Sequence, residues 1–314
     1  MDKKSYEGIV DISDQEHEKI SNAKLATVFT KKEKQIMIIA GLATLFALIN
    51  FGYREISFVL DLVLLMIGAF IAFIYVFYQK SKRLKAYKLL IKEIVIQKMF
   101  EKNFDAVKYY PNQGFDEKFI FSLEMFESGN QYSSNDLMSG SYKGVGFMQA
   151  DVHIQDVRKS GKTTVVVELF QGRWIIFDFF KEFNGEHQVR KNHSIFKNKK
   201  PANFFGRKLK KVSFEDSEFS KTYSTYTSDE QEAFYLMTPI LMQNMLDYQN
   251  LTQGEIVFGF KDKKLHIAIN DNTNAFELSG KDITKMFLKQ VQNDIDVIKY
   301  VIDELNLDND LYSK

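Results

Sequence analysis

Two stretches near the start of the chain decide its architecture: IMIIAGLATLFALINFGY, Ile36–Tyr53, and SFVLDLVLLMIGAFIAFIYVFY, Ser57–Tyr78. The second spans about 33 Å as a helix, enough to cross a hydrocarbon core of about 30 Å. The first spans about 27 Å and crosses if Lys34 snorkels or the bilayer thins. Together they read as a transmembrane helical hairpin within residues 31–79. Mostly polar residues precede the first run and no small-residue cleavage site follows it, so neither run reads as a cleavable signal.

Charge gives the direction. Lys31, Lys32 and Lys34 precede the first run, and Lys80, Lys82, Arg83, Lys85 and Lys88 follow the second. The link between them holds only Arg54 and Glu55. The positive-inside rule then places both termini and the main domain in the cytoplasm. The rival reading is a buried helical hairpin of a soluble protein, for which the second run is long. Its one charge, Asp61, would be a functional acid if deep in the bilayer. Asp61 lies about a turn from the link, and an interfacial carboxylate near Arg54 is the simpler reading.

The 314 residues carry a net charge of +1. The absence of cysteine excludes disulfides, thiolate zinc sites and cysteine nucleophiles. Three prolines and 29 phenylalanines suit an ordered, well-filled core.

Residues 1–30 are polar, with a capping box at Ser13 and Glu16 and a short helix to about Phe29. Leu84, Tyr87, Ile91 and Ile94 recur at helical spacing, which gives a juxtamembrane helix over 80–105. Residues 106–314 read as an α+β domain of antiparallel β-hairpins packed with helices. Phe119–Phe126 is a candidate strand. Met148, Ala150, Val152 and Ile154 alternate with Gln149, Asp151, His153 and Gln155, one face buried and one wet. Thr163–Phe170 and Arg173–Phe180 read as a hairpin turning at Gln171-Gly172. That hairpin puts Phe170 and Phe177 on a second apolar face, which a helix, a later segment or a partner must cover.

Val212–Phe214 and Tyr223–Tyr226 are short candidate strands. A helix over Asp229–Tyr248 restarts at Thr238-Pro239. Ile256, Phe258 and Phe260 face Leu265, Ile267 and Ile269 across a turn at Asp262-Lys263. The chain closes on a long amphipathic helix with Ile283, Phe287, Val291, Ile295, Ile298, Ile302 and Leu305 on one stripe.

A series of residues carries a resemblance. It runs Phe170-Gln171-Gly172-Arg173-Trp174, Glu215-Asp216, Glu218-Phe219, Tyr223, Tyr226, Asp229, Glu232-Ala233, Tyr235, Thr238-Pro239, Met242 and Ile267-Ala268-Ile269, preceded by the paired apolar runs. In order and spacing it resembles the bacterial membrane proteins called domain of unknown function 3137, over roughly residues 30–305. Arg173-Trp174 stands where the family has two apolar residues, and Ser217 where it has proline. The resemblance implies a membrane-anchored cytoplasmic α+β domain and supplies no catalytic residues.

Candidate chemistry is sparse. Ser160-Gly161-Lys162-Thr163 imitates the end of a phosphate loop, but Asp156 stands where the first glycine is needed and a strand follows instead of a helix, so it reads as a hairpin turn. No two of His17, His153, His187, His193 and His266 lie three or four residues apart, so no helix offers a metal a histidine pair. No metal or cofactor site is assigned. Asp178 shares the face of Trp174 and Ile176, where it is either a wet strand end or an acid in need of a basic partner. Asp216 belongs to an acidic cluster that reads as a helix start or, less simply, as a catalytic acid.

Residues 190–211 hold nine Lys or Arg and no acid. Lys199, Lys200, Lys208 and Lys210 are candidates for anionic lipid headgroups, a reading placed ahead of nucleic acid because the tether holds the domain beside the bilayer, with an ordinary solvated loop as the plain alternative to both. The expected function is a membrane-tethered, non-catalytic binding or scaffolding module, with Phe170, Arg173, Trp174 and Phe177 and the basic loop as contact surfaces for a protein partner. The first alternative is an enzyme acting on a membrane-associated substrate through Asp178 and Asp216. The second is peripheral sensing of anionic lipid.

Overall fold

The computed structural model describes residues 12–50, 56–161, 163–179, 181–192, 209–252, 254–277, 284–305 and 307. They form a mixed helix and antiparallel-sheet protein with a long C-terminal helix, divided into two compact units at Val95/Ile96.

Among the described residues the first unit holds three α-helices. Ser13 caps α1 (Asp14–Ala26) through the expected capping box, its N–H donating to Glu16 at 2.9 Å. A second box, Thr30 with Glu33, opens α2 (Lys31–Asn50). The next helix, α3 (Ile56–Ile91), runs unbroken through the apolar run and the lysines after it. Arg83 donates both arms of its guanidinium to Glu33 at 2.8 Å, which sets α2 antiparallel to α3. Counting sevens from that pair gives Ala40 and Ala47 on α2 and Val76, Ala69 and Leu62 on α3, all buried. This is a heptad seam of mostly small residues. The large side chains point the other way: Ile39, Leu42, Ile49, Leu60, Phe70 and Ile71 are each more than half exposed. Among the described residues one helical stretch, Val59–Glu101, is long and apolar enough to cross a membrane. Only 17% of its most apolar window is buried within the protein.

A π turn at Lys92–Ile96 leads into α4 (Gln97–Glu101) and the second unit. Among its described residues nine strands form one antiparallel sheet in the order β1-β2-β3-β4-β9-β8-β5-β7-β6. They are β1 (Asp105–Tyr110), β2 (Gln131–Tyr142), β3 (Val145–Ser160), β4 (Thr163–Asp178), β5 (His187–Lys191), β6 (Lys210–Val212), β7 (Tyr223–Thr227), β8 (Glu255–Lys261) and β9 (Lys264–Asn270). The remaining helices are α5 (Glu117–Ser122), α6 (Ser217–Thr222), α7 (Glu230–Leu236), α8 (Pro239–Leu251) and α9 (Lys285–Glu304).

Several expectations hold. The β8–β9 hairpin turns at Asp262 and Lys263, both with positive φ, and pairs Ile256 with Ile269, Phe258 with Ile267 and Phe260 with Leu265. Thr238 caps α8 with Pro239 at its first position, after α7 has stopped at Leu236. Gly161, at φ +60°, turns β3 into β4.

Three expectations are corrected. Thr163–Asp178 is one unbroken strand, not a hairpin turning at Gln171-Gly172. Gly172 (φ +157°) marks the place where β4 begins to pair with β9, and a Cβ there would lie 2.0 Å from the Ile269 carbonyl oxygen. The glycine signals close backbone approach, not reversal. Phe119–Phe126 contains no strand: Asp116 accepts the Phe119 N–H at 3.1 Å and starts α5. Lastly, Gln149 and Asp151, read as wet, are buried, because both faces of the sheet are covered.

One face carries Phe147, Ile175, Phe177, Phe258 and Ile267 under α4, α8 and α9, through contacts such as Tyr248 with Phe258 and Phe104 with Phe147. The other carries Ala150, Val152, Phe170, Trp174, Val257 and Ala268 under α5 and the segment to Phe126. Gly259 makes room for this cover, since any Cβ would meet the Met125 sulfur at 2.6 Å.

Candidate functional site

The residues singled out in the sequence scatter across the second unit. Phe170, Trp174 and Phe177 are fully buried. Phe170 and Trp174 pack with Phe126, and Phe177 lies on the opposite face, so they form no contact surface. The apolar face that needed a cover is covered from within the chain. Asp178 is a wet strand end: its side chain is 62% exposed and accepts from Lys264 Nζ at 2.6 Å. Asp216 is the N-cap of α6, accepting the N–H groups of Glu218 and Phe219 at 3.0 and 2.9 Å. Both acids are engaged in ordinary structural work and do not converge.

Lys199, Lys200 and Lys208 lie outside the described residues. Lys210 and Lys211 are exposed on β6. Arg190, counted with the basic stretch, is instead a buried strand residue whose Nη2 donates to the Met125 carbonyl at 2.7 Å. Burial lowers its pKa to about 10. Together with Lys261, which donates to the Ser122 carbonyl at 2.8 Å, it fastens the end of α5 to the sheet.

Arg173 organises a buried ionic cluster. It pairs with Asp271 at 3.0 Å and with Asp294 of α9. Asp151 lies directly across the ladder from it. An arginine at a family position expected to be apolar thus ties α9 to the centre of the sheet. Sequence reading could not supply the partners, which lie 98 and 121 positions downstream.

The arrangement closest to catalytic geometry is centred on His187. Its Nε2 is 3.2 Å from Glu232 Oε2, and its Nδ1 is 2.8 Å from Thr227 Oγ1. Hydroxyl, imidazole and carboxylate in series is the order of a nucleophile triad. Here the hydroxyl is fully buried and already serves the Asp229 carbonyl and N–H at 2.6 and 2.9 Å. The carboxylate also accepts the Asn184 and Gly185 N–H groups at 2.7 and 2.6 Å. Burial lowers the His187 pKa, against the pull of Glu232. Burial would raise Glu232, but those N–H groups and His187 outweigh it and hold its pKa below the usual value. The contacts of His187 with Glu232 and Thr227, together with those of Glu232 to the Asn184 and Gly185 N–H groups, latch residues 184–187 onto α7.

Beside this latch is a small cleft lined by Leu123, Met125, Glu186, His187, Gln188, Gly259, Phe260, Lys261 and His266. Its accessible volume of about 10 Å³ suits one water molecule, far below what a small-molecule ligand requires. Among the described residues no group of three or more His, Asp or Glu is placed to hold a metal ion.

The second unit is therefore a nine-stranded antiparallel α+β domain whose polar clusters hold elements together. Residues 168–307 match the family described as Protein of unknown function (DUF3137), the family whose residue series the sequence carries. The match starts within β4 and ends after α9, so the paired apolar runs lie outside it. No curated protein matches. Among solved structures, the crystal structure of the mycobacterial trehalose monomycolate transport factor A, TtfA, is similar at 10% identity and a TM-score of 0.33. That similarity covers 64% of this chain and 89% of that one.

Proposed function

We propose that the protein is a membrane-tethered binding or scaffolding module. In this reading α2 and α3 form a two-span hairpin in a bacterial inner membrane, with both termini and the α+β unit on the lysine-rich cytoplasmic side. The observation that carries it is the inside-out packing of the first unit, with alanines buried in the seam and large aliphatic and aromatic side chains outside. A water-soluble helical pair would bury those side chains, since exposing them forfeits roughly 1.5–3 kcal/mol each. The lysines at both helix ends support the orientation.

The non-catalytic part of the reading rests on the engaged state of the acids. An enzyme working through Asp178 and Asp216 would keep them close together and free to exchange a proton. Exchange of both for asparagine in the full-length chain should leave complementation of a deletion strain intact, and loss of complementation with the fold preserved would favour the enzyme. Crosslinking in intact membranes followed by mass spectrometry should recover a specific protein partner. Recovery of lipid alone would count against scaffolding.

A further inference from the structure

The β3–β4 hairpin outruns its neighbours. On one side, β2 pairs with β3 only as far as Gln155. On the other, β9 pairs with β4 only from Gly172 onward. Among the described residues the remaining ribbon, Asp156–Ser160 against Thr163–Val167, extends as two strands alone. Its β4 half is exposed from Thr163 to Glu168, and Val166 is 53% exposed.

The two edges of the ribbon are treated differently. On the β3 edge, Asn130 acts as a surrogate strand: Val157 N–H donates to Asn130 Oδ1, and Asn130 Nδ2 donates to the Val157 carbonyl, both at 2.8 Å. Val157 therefore turns its backbone groups away from β4. Val166, directly opposite it, turns its own away from β3, because the members of a non-hydrogen-bonded antiparallel pair face outward together. By the alternation, Thr164 does the same. On the β4 edge the protection stops early: Gln171 donates to Asn270 Oδ1 at 3.1 Å and accepts from Asn272 at 3.0 Å, both beyond the ribbon. An exposed β-branched edge without proline or an inward charge invites pairing, and proteins normally guard it.

We propose that the Thr163–Glu168 edge of β4 is a strand-addition surface for a second copy of this chain, paired antiparallel about a two-fold axis at Val166. In that register Val166 meets Val166, Val165 meets Val167 and Thr164 meets Glu168. No charge opposes its like, and the outward-facing residues meet one another as hydrogen-bonded pairs. Among the described residues Asn130 guards Val157 on the β3 edge and nothing guards Val166 on the β4 edge, so pairing of the β4 edge with its own copy is isologous and closes as a dimer instead of continuing as a filament. The product is a four-stranded ribbon joining two sheets.

The absence of native cysteine makes a direct test possible in the full-length chain. Val166→Cys should form a disulfide-linked homodimer about tenfold faster than Lys289→Cys on the exposed side of α9, as a preformed contact does over random collision. Thr164→Cys mixed with Glu168→Cys should crosslink, and Thr164→Cys alone should not, which reads the register. Val166→Lys should be monomeric by light scattering while keeping its unfolding transition. The proposal is overturned if Val166→Cys reacts no faster than the control. It is equally overturned if Val166→Cys captures a different protein, or if anionic vesicles alone shield it from a soluble maleimide.

Discussion

Glu255 sits at the start of β8, and burial raises its pKa to about 7 despite the opposing pull of Lys191 and Arg190. Between pH 4.5 and 7 the folded chain thus holds a proton that the unfolded chain has released, and stability falls as pH rises through this window. Glu255→Gln should remove the effect. Measured by urea unfolding, it should stabilise the protein by about 1–2 kcal/mol at pH 8, discounted for the partial exposure of the group, and by little at pH 4.5. His266 has the opposite sign. Burial first, then the positive charges of Lys264 and Lys261, lower its pKa to about 3. The unfolded chain then binds the extra proton, so stability is lost as pH falls from 6.5 toward 3. His266→Gln should give a shallower acid limb in the same titration. Neither shift was legible from sequence, because each depends on burial beneath segments distant in the chain. The apolar character of Phe170, Trp174 and Phe177 was legible. What covers them was not, since the segment to Phe126, over Phe170 and Trp174, and the helices on the opposite face, over Phe177, reach the sheet through tertiary paths that local pattern does not encode.

The Arg173 cluster joins α9 to β4, and its loss should be felt along that helix. Arg173→Ala leaves Asp271 and Asp294 buried without their cation and should cost about 3 kcal/mol or more in urea unfolding. Hydrogen exchange in α9 should rise with it. Arg173→Ala together with Asp294→Asn should recover part of that loss, which separates the uncompensated charge from the lost packing. Thr238→Ala, which removes the cap of α8, should cost about 1 kcal/mol. Elements with local chemistry were legible: the capping box at Ser13, the Thr238-Pro239 restart, the Asp262-Lys263 hairpin and the stripe of α9. Those set by distant neighbours were not. Gln171-Gly172 has the composition of a turn, yet the chain runs straight through it, because β9 offers a second pairing partner and only glycine tolerates the approach of the Ile269 carbonyl.

The whole molecule joins an inside-out helical unit to a domain filled in the ordinary way on both faces of its sheet. Apolar length made the helices of the first unit legible. The heptad seam that aligns Glu33 with Arg83 became visible only when the two helices were paired. The nine-strand order was beyond reach, because β4 pairs with β9 across nearly a hundred residues. The central claim is that α2 and α3 span a membrane with the α+β unit on the inner side. It is tested most directly by single cysteines in the cysteine-free chain, probed with a membrane-impermeant maleimide on intact cells. Arg54→Cys should label from outside, and Lys289→Cys only after permeabilisation. Labelling of Lys289→Cys on intact cells would reverse the orientation, and release of the protein by alkaline carbonate would contradict the spanning hairpin itself.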